Sequence, residues 1–97
     1  MEQRIRKMEQ TRDRSAAAVT ALASALENYD AIRTELQELA DYYASPLWLQ
    51  DLDADRAGEL PAGLKRGVLS EDAIYDLLEE NRRLLALMKT VSSAPAP

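Results

Sequence analysis

Residues 19–46 read VTALASALENYDAIRTELQELADYYASP. Val19, Leu22, Leu26, Tyr29, Ile32, Leu36, Leu39 and Tyr43 recur there at gaps of three and four, the spacing of one face of an α-helix. Working back from Val19, Ile5 and Met8 are the only large apolar side chains after Met1 among the helix formers. Neither glycine nor proline occurs between Met1 and Ser45. One helix over residues 2–44 is therefore expected. Ser45-Pro46 ends it, because a residue before proline avoids helical angles.

Working forward, the same pair can open a new helix, with Ser45 as N-cap and Pro46 in the first helical position. Leu47, Trp48, Leu49 and Leu52 would ride on it. Gly58 and Pro61 punctuate the stretch beyond that helix, and Pro61 to Arg66 reads as a further turn closed by Gly67. Residues 45–69 thus form a connector with short helical turns. Ser70 is the expected N-cap of a second long helix over residues 70–91. Glu71 and Asp72 put negative charge at its positive end, and Leu69 and Ile74 stand in hydrophobic-staple positions. Its apolar stripe is Ile74, Leu77, Leu78, Leu84, Leu85, Met88 and Val91, and Glu79 and Arg83 have the spacing of an ion pair. Residues 92–97 are small residues and proline, the composition of a disordered tail.

The fold class is all-α: a long N-terminal and a shorter C-terminal helix in an antiparallel hairpin, one domain over residues 1–91. Folded back, the second helix has about 20 residues to cover a first helix about 60 Å long. It reaches from about residue 43 to about residue 22, leaving residues 1–18 overhanging. Ala16, Ala17, Ala18, Ala21, Ala23 and Ala25 keep the middle of the first helix slim, which suits either close approach by a neighbour or simple helix propensity.

Composition removes several functions. There is no cysteine and no histidine, so thiol chemistry and the commonest general base and metal ligand are missing. Seventeen acids against twelve bases argue against direct nucleic-acid binding. No apolar run has the length of a membrane span and the N-terminus lacks a signal-peptide core, so a cytoplasmic protein is expected. No cofactor, catalytic residue or metal is expected, and the chain reads as non-enzymatic. Asp51, Asp53, Asp55 and Glu59 alternate as calcium ligands would, but Arg56 and Ala62 occupy the positions where an EF-hand needs glycine and glutamate. A solvated connector fits them better.

Candidate interaction residues cluster around the connector. Trp48, Tyr43 and Tyr75, with Tyr42, serve equally as interface anchors or as the plug of a small core, with Trp48 the favoured plug. Asp51 and Asp53 supply charge. Lys65 and Arg66 stand before the Ser70 helix start, where they either form an anion pocket or pair with nearby acids. Asn81, central in the second helix's stripe, is a candidate for specifying register or oligomeric state.

The run Leu60-Pro61-Ala62-Gly63-Leu64-Lys65-Arg66-Gly67-Val68-Leu69-Ser70-Glu71-Asp72, with Tyr42, Tyr43 and Trp48 before it and Tyr75, Leu77, Leu78 and Asn81 after it, resembles a family of short bacterial proteins known as domain of unknown function 4298. Ala62-Gly63 fill the family's variable pair, where a more polar second residue is expected. The resemblance spans essentially the whole chain. It implies a small helical cytoplasmic protein and supplies no activity.

Three functions are compatible with these features. The first is an adaptor that self-associates through its long helix as a coiled coil, most simply a dimer. The second is an acidic regulator of a nucleic-acid enzyme, because residues 27–59 carry nine acids against two bases. The third is a small-ligand or metal sensor built on the connector.

Overall fold

The computed structural model describes residues 1–97. Three α-helices and one 3-10 turn form the chain, and there is no strand: α1 spans Glu2–Tyr43, α2 Pro46–Arg56, the 3-10 turn Gly67–Leu69 and α3 Ala73–Ser92. The chain divides into two units, Met1–Leu36 and Gln37–Pro97.

The first unit is helix from Glu2 onward and contains no buried residue. Ile5, Met8, Val19, Leu22, Leu26 and Ile32 are all exposed.

The second unit holds the core. Trp48, Leu52, Leu69 and Ile74 are its buried side chains, with Leu39, Tyr42, Tyr43, Leu60 and Leu78 packed against them. Every buried member comes from α2, the 3-10 turn or the start of α3. The connector is therefore the centre of the fold rather than a link between helices.

Local chemistry explains the boundaries. Ser45 has the extended backbone of an N-cap and Pro46 stands in the first turn, as expected. The Ser45 hydroxyl, however, does not cap α2. It donates instead to the Tyr42 carbonyl at 2.7 Å, which also accepts the Ser45 N–H at 3.0 Å, so one residue closes the end of α1 twice. At the other end of α2, Gly58 takes a left-handed φ of 71°. The Gly58 N–H reaches the Asp55 carbonyl and the Glu59 N–H the Ala54 carbonyl, both at 3.0 Å, which is a Schellman closure. Asp51, Asp53 and Asp55 therefore lie on a helix, a backbone that cannot wrap a cation as an EF-hand loop does.

Four expectations are corrected here. Residues 61–64 form a turn closed by Leu64 N–H on the Pro61 carbonyl, and Gly67 opens the 3-10 turn instead of closing a helical one. Regular α3 begins at Ala73, not at residue 70. Ser70 still caps it, since its Oγ accepts the Ala73 N–H at 3.2 Å, while residues 71–72 form a looser turn. Arg83 pairs with Glu80 through both Nε and Nη2, at 2.9 and 2.7 Å, and Glu79 pairs with Arg82. The spacing of three wins over the Glu79–Arg83 spacing of four because it allows the two-pronged contact. The tail also starts one residue later, because α3 includes Ser92 and the Ser92 and Ser93 hydroxyls both donate to the Lys89 carbonyl.

Candidate functional site

α2 places Trp48 at the middle of the core. The ring is 8% exposed and meets Tyr43 edge to face, with centroids 5.0 Å apart and planes at 73°. Its Nε1–H donates to the Val68 carbonyl at 2.9 Å, tying α2 to the 3-10 turn. Trp48 is thus the plug. Trp48 is not a surface anchor, because its apolar face and its one polar atom are both satisfied inside the unit.

Tyr42, one residue before Tyr43, donates its hydroxyl to Asp51 at 2.6 Å. This hydrogen bond to the carboxylate, helped by partial desolvation and by the charge of Asp51, pushes the phenol up to about 12. Asp51 is therefore a fastening between α1 and α2. Asp53 stays exposed on α2.

Arg66 makes the densest polar contact of the unit. Its guanidinium pairs with Asp55 at 2.5 Å and donates to the Pro61 carbonyl at 2.8 Å and the Leu64 carbonyl at 3.4 Å. The side chains of the pair are 32% and 24% exposed. Arg66 staples the 61–66 segment to the end of α2, using the planar fork that lysine lacks. Glu71 in turn pairs with Arg56 at 3.0 Å. The anion-pocket reading therefore loses one of its two cations to the fold. Lys65 enters no ion pair and lies exposed.

Beside Lys65 a groove of about 470 Å³ opens. Leu39, Val68, Ala73, Ile74 and Leu77 line it together with Gly67 and Lys65. One ammonium stands over an otherwise apolar surface, which suits a group with a greasy body and a negative end. Sequence reasoning marked Lys65 but missed Leu39, Val68 and Leu77 as its companions. The groove brings Leu39 of α1 against the segment from Lys65 to Leu77, more than 25 residues on, and no local pattern announces that.

Tyr75 is 52% exposed on α3 and remains available at the surface. Asn81 is half-buried on the same stripe as Ile74 and Leu78. No buried side-chain nitrogen or oxygen in the chain lacks a hydrogen-bond partner. No three carboxylates converge as a metal site would require, and no helix is long and apolar enough to cross a membrane.

A family model described as Domain of unknown function (DUF4298) matches residues 5–91. The chain belongs to this family. The DUF4298 match takes in α2, the 3-10 turn and nearly all of α1 and α3. The run from Leu60 to Asp72 has a concrete structural meaning in this DUF4298 protein: Leu69 is core, Arg66 is the staple, the Val68 carbonyl receives Trp48 and Ser70 caps α3. No curated protein and no solved structure matches the chain.

Proposed function

We propose that this protein is a non-enzymatic interaction or adaptor module of the cytoplasm that self-associates through α1. One observation carries the reading. Residues 1–36 contain no buried side chain, yet Ile5, Met8, Val19, Leu22, Leu26 and Ile32 are 42–67% exposed along one continuous helix. An isolated helix gains little stability from propensity alone and depends on covering its apolar face. A coiled-coil pairing of α1 does that, and a dimer is the simplest form.

Light scattering coupled to size-exclusion chromatography at tens of micromolar tests the reading. A mass of twice the chain's 10.8 kDa is expected. A clean monomer would overturn it.

The Lys65 groove favours a second reading, a small-ligand sensor for an amphipathic carboxylate. Calorimetric titration with octanoate should then give a binding isotherm that Lys65→Ala removes; no heat with the unaltered protein would dismiss it.

A further inference from the structure

The self-association proposed above leaves the direction of the paired helices open, and the charge along α1 decides it. Residues 2–14 carry five bases, Arg4, Arg6, Lys7, Arg12 and Arg14, against Glu2, Glu9 and Asp13. Residues 15–26 carry no charge at all. Residues 27–41 carry Glu27, Asp30, Glu35, Glu38 and Asp41 against Arg33 alone. One unbroken helix thus has a basic third, an uncharged alanine-rich third and an acidic third.

We infer that the occupant of the exposed α1 face is the α1 helix of a second copy, running antiparallel and crossing near Thr20 and Ala21. This inference rests on the self-association reading and adds its geometry. In that arrangement the basic third of each copy lies along the acidic third of the other, twice over by symmetry. Packed helix axes lie about 8–10 Å apart, within about one Debye length at physiological salt, so these charges are not fully screened. A parallel pair in register would instead set basic on basic and acidic on acidic, which repels at both ends.

The apolar pattern agrees. A crossing between Thr20 and Ala21 sets Val19 of one copy opposite Leu22 of the other, and these are the two most exposed large apolar side chains of residues 9–36. Ala18 and Ala23 flank Val19 and Leu22 on that face and keep the helix slim where the two backbones come close. The uncharged stretch is thus where the helices touch most tightly, and the charged thirds set their direction.

Spin labels on single cysteines test the direction, and the chain has no native cysteine to interfere. Gln3→Cys and Ala17→Cys lie on the helix face opposite Met8, Val19 and Leu26. At 1.5 Å per residue, an antiparallel pair separates the two Gln3→Cys labels by about 50 Å along the axis and the two Ala17→Cys labels by about 10 Å. Pulsed dipolar spectroscopy should therefore read a long distance for the first and a short one for the second. Equal short distances at both positions, in a protein that light scattering finds dimeric, would overturn the antiparallel inference and leave self-association standing. A monomer by light scattering would overturn both.

A charge exchange provides an arm independent of labelling. Arg6→Glu with Arg14→Glu should abolish the homodimer, as should Glu27→Lys with Glu35→Lys. Mixing the two double variants should restore a heterodimer. Mixed variants that remain as monomeric as each alone, while the unaltered chain dimerises, would refute the role given to the charged thirds.

Discussion

Replacing Ile74 by alanine is the sharpest test of where this fold keeps its stability. Ile74 is the most deeply buried side chain, 2% exposed, and it shares one cluster with Trp48, Leu52 and Leu69. The substitution removes three carbon atoms, worth about 2.5 kcal/mol at about 0.8 kcal/mol each. The space left behind adds to that loss, and substitutions of this kind cost about 2–5 kcal/mol. The wall of the cavity includes the groove-lining Leu39 and Leu77, which have room to close in, so about 3 kcal/mol is expected. Small domains have a net stability of only about 5 kcal/mol. The variant should therefore sit near the edge of folding. Urea titration followed by Trp48 fluorescence reads the core directly, because the tryptophan belongs to the same cluster. Protein concentration is held constant, since association shifts apparent stability. Ile74→Val should cost about 1 kcal/mol, and Leu77→Ala, at a position 48% exposed, less than Ile74→Ala. An Ile74→Ala cost no larger than that of Leu77→Ala would refute the claim that the connector cluster is the core.

Three further outcomes are expected. Gly58→Ala should destabilise by about 1 kcal/mol in the same titration, because the left-handed φ of 71° strains any residue with a Cβ although nothing crowds it there; an unchanged midpoint would contradict the Schellman closure. Arg66→Lys should cost about 1–2 kcal/mol, since one ammonium cannot serve Asp55 and two carbonyls together, and a fully stable variant would remove Arg66 as the staple. Tyr42 has a folded pKa above its unfolded value, so its bond to Asp51 stabilises fully below about pH 10 and is lost as pH rises towards about 12. Tyrosinate absorbance should show a late-titrating component that Tyr42→Phe removes; if the variant keeps that component, the assignment fails.

Much of the helical skeleton was legible in local chemistry. Apolar spacing and the lack of glycine and proline mark α1, Ser45-Pro46 marks its end, and Ser70 with the Leu69–Ile74 staple marks α3. These features act over one or two helical turns, so the residues alone reveal them. The α3 start and the turn after Pro61 differ from the local reading by a few residues.

The candidate site was much less legible. Trp48 and Tyr43 announced an aromatic cluster, but only packing decided that the indole goes inside and gives its proton to Val68, 20 residues away. Lys65 and Arg66 are neighbours of like charge, and the sequence offered no ground to separate them. Tertiary structure does: Arg66 is turned onto Asp55 and two carbonyls, and Lys65 is left at the rim of the groove.

The sequence by itself determined that this chain is helical, where its α-helices lie to within a few residues, and how charge is distributed along α1. The first two depend on contacts between residues a few positions apart, and the third on residue order alone. Tertiary structure alone decided that the connector is the core, which of two adjacent cations is free, and that a groove forms from Leu39, Val68 and Leu77. Those outcomes depend on which distant surfaces meet, and burial of one small apolar cluster, rather than any local preference, selects them.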